Sequence, residues 1–231
     1  MHKFKAVLVV IFLLLLASGF TFQRHAIACE AIAFSNFEQV SANVFSSPSV
    51  ANVQQVVKNI SNGKERVNST FGKMIAKPKI VLVGSKDEAA KFGANSTATA
   101  HNTPFGTCIV LGPNGQNVDV SAHELTHAEV SHRVGWFTHW LEIPVWFDEG
   151  VALIVDHREP FLVENIDLDP VKVQSVKRLK SGREFFGGGN THENYLASRL
   201  AVAMLEPSKL YAQLELVRIG DSFESVFTST M

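Results

Sequence analysis

The chain has 231 residues, of which 46% are hydrophobic and 19% charged, and its formal net charge is −1. This length suits one domain of ordinary size behind a targeting segment, and the hydrophobic content excludes an intrinsically disordered chain. No long run of one charge sign occurs, which excludes a broad basic face for nucleic acid.

The first residues have the order of an export signal. Lys3 and Lys5 precede the apolar run Ala6 to Ala17, Ser18, Gly19 and Thr21 interrupt its far end, and Ala26-Ile27-Ala28 offers a cleavage site. Residues 1–28 are therefore expected to form a signal peptide. Carried on to Phe22, the apolar stretch reaches 17 residues, the lower limit for an N-terminal membrane anchor. Either way the protein is expected to be exported, periplasmic or extracellular, with possible membrane association through this segment. The two cysteines, Cys29 and Cys108, would then reach an oxidising compartment and are expected to pair. A lipidated Cys29 is the second reading, because Ala26-Ile27-Ala28-Cys29 loosely follows a lipoprotein site. Without a C-x-x-C spacing, neither cysteine reads as a metal ligand.

Residues 29–231 read as a single domain. Ser47-Pro48 has the form of a helix start. Val50, Val53, Val57, Ile60, Val67 and Phe71 then recur at helical spacing as far as Gly72, with Gly63 as a point of fraying. Lys79 to Val83 reads as a β-branched strand between Pro78 and Gly84, and Asp87 to Phe92 as a short helix stopped by Gly93. Thr97 to Thr103 and Cys108 to Leu111 read as strands joined by the turn Thr103-Pro104-Phe105-Gly106. A helix is expected from Asn117 or Asp119 to Val134, closed by Gly135. A loop carrying Trp136 and Trp140 follows, then a helix from Pro144 to His157. Residues 159–190 are less regular, and helices are expected near Thr191 to Glu206, Ser208 to Val217 and Ser222 to Phe227. A small sheet followed by helices is an α+β domain.

The chemistry lies in His123-Glu124-Leu125-Thr126-His127. Residues four apart share a helix face, so both imidazoles can reach one metal ion, and the carboxylate of Glu124 can take a proton from a metal-bound water. A catalytic zinc needs three protein ligands and an open position. Two antiparallel helices joined by a loop would bring Glu149, in Trp146-Phe147-Asp148-Glu149-Gly150-Val151-Ala152, opposite the histidine pair. Trp146, Phe147, Glu149, Gly150 and Ala152 match the W-[LF]-x-E-G-x-A segment position by position, and here the chain resembles the gluzincin metallopeptidases of the aminopeptidase-N-like and peptidase-MA-like families. The resemblance covers Val118 to His157. It departs from the aminopeptidase-N group in the loop, since residues 128–148 are a few more than that group has between ligands.

This resemblance implies a zincin-like helical half, Zn2+ as cofactor with His123, His127 and Glu149 as ligands, Glu124 as base, and a peptide or protein as substrate. It also implies that a later tyrosine stabilises the oxyanion, for which Tyr195 is the candidate, and that Thr99 to Cys108 serves as an edge strand pairing with substrate. Arg199, one turn after Tyr195, is a candidate for a substrate carboxylate. Asp148 and Asp156 could hold the ligand imidazoles, but they read more simply as a helix-start charge and a solvent-facing residue near the helix end. His101 sits in the strand before the motif. His132, His139, His157 and His192 read as surface or loop residues, and the three tryptophans as packing between the two zinc helices. Two alternatives remain open at this level: a silent zinc-binding or scaffold protein, and a zinc hydrolase of another amide in the cell envelope.

Overall fold

The computed structural model describes residues 24–227, so the apolar run of the candidate export signal lies outside them. Among the described residues no helix is long and apolar enough to cross a membrane. The domain is α+β. A helix over residues 24–30 and the turn Ala31–Phe34 lead into β1 (Glu38–Ser41) and β2 (Val44–Ser46), then α1 (Val53–Phe71), β3 (Lys79–Leu82), α2 (Lys86–Lys91), β4 (Ala98–Thr103) and β5 (Gly106–Leu111). The second half is helical: α3 (Val118–Val134), α4 (Trp136–Glu142), α5 (Val145–Ala152), α6 (Pro170–Val176), α7 (Gly182–Gly187), α8 (Thr191–Ala201), α9 (Leu210–Arg218) and α10 (Phe223–Phe227).

The five strands form one mixed sheet in the order β1-β2-β3-β5-β4. Strand β3 runs parallel to β2 and β5, while β4 is antiparallel to β5 and forms the edge. Period-two alternation sends Val44, Ile80, Leu82, Ile109 and Leu111 into the core shared with the helices. Phe45, Val81, Val83, Cys108 and Val110 point the other way, onto Cys29, Ile32, Ala89 and Phe92. Coverage on both faces explains why Ile80-Val81-Leu82-Val83 is apolar throughout rather than alternating.

Cys29 and Cys108 are disulfide-bonded, with Cα atoms 6.2 Å apart, and tie the N-terminal segment to the second face of the sheet. The thiol that lipidation of Cys29 would require is therefore engaged.

Several expectations need correction. The first long helix begins at Val53, not at Ser47, because the hydroxyls of Ser47 and Ser49 donate to the carboxylate of Glu88 (3.0 and 2.6 Å) instead of capping a helix. Gly63 does not fray this helix. A Cβ there would lie 2.9 Å from the backbone nitrogen of Ala122, so the glycine allows α1 and α3 to cross closely. Trp136 to Glu142 is helical rather than a loop. The helix expected to run to His157 ends at Ala152, since tertiary bonds capture the next residues: Arg66 donates to the carbonyl of Val155 (2.9 Å) and His157 N to Asp119 Oδ1 (3.3 Å). The short strands β1 and β2 and the helices α6 and α7 were not foreseen.

Candidate metal centre

Helix α3 carries the histidines through the middle of the domain. Asn117 caps it by accepting from Val120 N (3.0 Å), Gly135 ends it at φ 84°, and almost every residue from Val120 to Ser131 is buried. Its outer turn is fastened by Glu129, which accepts from Ile75 N, Ala76 N (2.8 Å) and Arg133 Nε (2.7 Å). Helix α5 is fixed by aromatic packing. Phe147 lies edge-on to Phe223 and against Phe227, with ring centroids 4.9 and 4.5 Å away, and Trp146 packs on Phe223. Trp146 is thus a core residue, whereas Trp136 and Trp140 are exposed and do not pack between α3 and α5 as expected.

These two helices bring His123, His127 and Glu149 together as a buried group with ligand atoms near one another. The two Nε2 atoms are 3.1 Å apart, and Glu149 Oε2 lies 3.4 Å from His123 Nε2 and 3.5 Å from His127 Nε2. Ligands about 2.0–2.1 Å from a tetrahedral zinc stand about 3.3 Å from one another, so this triangle has the size of three corners around such an ion. Glu149 Oε2 has no aligned hydrogen bond although it is buried, and two facing imidazole nitrogens cannot both carry protons. A shared cation satisfies all three atoms.

Asp148 and Asp156 occupy the places beyond the ligands. Asp148 Oδ2 lies 3.0 Å from His127 Nδ1 and 3.2 Å from His139 Nε2; Asp156 Oδ2 lies 3.6 Å from His123 Nδ1. The contact to His127 has hydrogen-bond length without hydrogen-bond alignment, and that to His123 is an ion-pair contact. Both carboxylates are buried, which corrects the reading of a helix-start charge and a solvent-facing residue. Each stands at the Nδ1 side of an imidazole whose Nε2 faces the three-donor triangle, the place from which a metal-bound histidine is usually supported. Asp156 does so from the segment after α5, and Arg158 grips it in turn through Nε (2.8 Å) and Nη2.

The electrostatics follow from four buried carboxylates in one place: Glu124, Asp148, Glu149 and Asp156. Burial opposes charge on the imidazoles, but the neighbouring carboxylates of Asp156 and Glu149 outweigh it and raise His123 to about 9. His127 is also raised well above the usual range, against burial, chiefly by the charges of Asp148 and Glu149. Burial favours the neutral form of Glu149, yet the imidazoles hold it down at about 2. Glu124 moves the other way: burial raises it, helped by the nearby Glu149 and Asp148 and opposed by the histidines. A group with this excess of carboxylate is built for a cation.

Two hollows open onto the group, of about 490 and 320 Å3. His123, Glu124 and Tyr195 line both. Edge strand β4 borders the larger through Ala98, Thr99, Ala100 and Asn102. Tyr195, at the start of α8, is braced by Phe185 and Phe161, and burial together with the charges of Glu149 and Glu124 raises its phenol, which stays protonated. Gly150 makes this approach possible, because a Cβ there would stand 2.6 Å from the carbonyl oxygen of Ser198 on α8.

Arg199 does not line either hollow; the nearby charge on it is that of Glu164. The arginine at the site is Arg158, which sequence reasoning missed and which no local pattern marks. His192 lines the smaller hollow instead of standing apart from the site, and its i, i+3 spacing to Tyr195 is a signal that was there to read. His139 is not a plain surface residue, being bonded to Asp148. His101 is turned away, with Nε2 2.6 Å from the carbonyl of Phe92. His132 instead lines a separate hollow with Phe105 and Trp136.

Compared with protein-family models, curated proteins and solved structures, the chain matches none.

Proposed function

We propose that the chain is an exported zinc peptidase of the gluzincin kind, which hydrolyses a peptide bond of a peptide or protein substrate. The observation that carries this reading is the common opening of Glu124, Tyr195 and the three-donor triangle onto one hollow beside an edge strand. A site made only to hold a metal has no use for a buried carboxylate next to its first ligand. The disulfide between Cys29 and Cys108 supports an oxidising compartment.

When bound, zinc lowers the pKa of its water and polarises the substrate carbonyl. Glu124 then accepts a proton from the attacking water and delivers it to the nitrogen of the leaving amine as the C–N bond breaks. Its raised pKa suits both directions of that transfer. The Tyr195 hydroxyl, kept protonated, donates to the oxygen on which negative charge develops. Asp148 and Asp156 hold the imidazoles in the orientation that leaves Nε2 for the metal. The free side of β4 offers backbone donors and acceptors to an extended substrate.

Incubation of the purified protein with a diverse peptide library, with and without chelator, tests this reading. Cleavage is expected, and is expected to vanish with chelator and in Glu124→Gln, whose zinc content should be unchanged. Full activity in Glu124→Gln would refute the mechanism. Stoichiometric zinc without cleavage of any peptide would refute the peptidase.

A further inference from the structure

Helix α4 is amphipathic in the reverse sense. With 3.6 residues per turn, Trp136, Phe137, Trp140 and Leu141 fall on one face. That face points outward, with exposures of 38, 60, 71 and 56%. His139, on the opposite side, turns inward to Asp148. A surface helix in water ordinarily shows the opposite arrangement. Four large apolar side chains held outward, while a polar one is used to fasten the helix, mark a docking face.

The face continues beyond the helix. Trp136 Nε1 donates to the carbonyl of Asn102 (3.1 Å) in the β4–β5 hairpin, and Phe105 at the hairpin tip is 89% exposed. Between helix and hairpin lies a hollow of about 600 Å3, whose lining includes Ile75, Lys77, Phe105, His132 and Trp136 and no carboxylate. Exposed Lys73 and Lys77 flank the exposed Ile75.

We propose that this face seats on the surface of an anionic phospholipid bilayer, with the aromatic side chains at headgroup level and the lysines toward the phosphates. Two tryptophans among the outward residues suit the boundary between water and acyl chains, where an aromatic ring has an apolar body and a polar edge to satisfy. The exposed Lys73 and Lys77 complement anionic headgroups. The route of the chain chooses the bilayer over a second copy. The apolar residues 6–22 lie outside the described residues and lead to the helix over residues 24–30. Its far end, Glu30, binds Lys79 Nζ (2.7 Å) and lies 3.4 Å from Thr103 Oγ1, at the turn of the same hairpin. The described chain begins beside strand β4 of that hairpin, where the His25 ring stacks on His101 at 6.4 Å. An apolar run in the sequence before this point and the aromatic face would act on one bilayer as the paired signals of peripheral attachment.

The test uses the full chain and vesicles of phosphatidylcholine and phosphatidylglycerol whose acyl chains are brominated near the headgroup. Wild-type tryptophan fluorescence is expected to fall about twofold on binding, because Trp136 and Trp140 meet the bromines. Phe137→Ser/Trp140→Ser keeps Trp136 and the buried Trp146. It should lose that quenching even if its N-terminal segment still holds it to the vesicle, with zinc content and circular dichroism unchanged. Vesicle-bound wild type without quenching would overturn the proposal, assigning attachment to the N-terminal segment alone. So would wild type that ignores the vesicles, or a dimer in solution that the double substitution dissolves.

Discussion

At the residue scale, the centre is a competition between burial and charge that burial alone would lose. Four carboxylates and two imidazoles share a buried space in which attraction between opposite charges moves His123 up to about 9 and Glu149 down to about 2, while burial pushes Glu124 toward its neutral form. Asp148 has the strongest claim among the supporting residues, since one oxygen serves both His127 and His139. Asp148→Ala should weaken zinc binding about 10- to 100-fold, measured by competition with a chromogenic chelator. Unchanged affinity would return Asp148 to the role of an ordinary helix-start charge. His123, Glu124 and His127 were legible because their spacing along a helix is itself the geometry, and Glu149 because it stands in the segment 146–152 that carries the resemblance. Asp156 was named only as the less simple of two readings and Arg158 was missed, since both reach the site from an irregular segment whose path is set by Arg66 and Asp119, far away in sequence.

At the element scale, the site depends on how closely two pairs of helices pass. Gly63 lets α1 approach α3, and Gly150 lets α5 approach the helix that carries Tyr195. Gly150→Ala would drive a methyl group toward a backbone carbonyl 2.6 Å away, not toward a side chain that can swing aside. A loss of about 1–3 kcal/mol in stability is expected in denaturant unfolding. Unchanged stability would show that α8 can yield at that contact. The long helices and the β4–β5 hairpin could be read from periodicity and turn residues. The short strands β1 and β2 could not: three or four residues carry too little pattern, and β2 is made by pairing with β3, more than thirty residues later in the chain. Helix α4 escaped notice for a different reason, since its apolar residues face outward and the helical pattern was read as loop aromatics.

At the scale of the whole molecule, the disulfide fastens the N-terminal segment to the far face of the sheet across 79 residues of sequence. Closing so long a loop restricts the unfolded chain strongly, and Cys29→Ala/Cys108→Ala should lower stability by about 2–5 kcal/mol in denaturant unfolding. A negligible change would show that burial of Ile32 against the sheet suffices to hold the segment. The candidate metal site stands across the sheet from this bond and should survive its loss with its metal binding intact.

The central claim is that His123, His127 and Glu149 hold one catalytic zinc, and metal content tests it most directly. Elemental analysis of the purified wild-type protein should find one equivalent of zinc per chain, and Glu149→Ala, still folded by circular dichroism, should have lost it. Wild-type protein that takes up no zinc even on reconstitution, or a Glu149→Ala variant that keeps the full equivalent, would contradict the account.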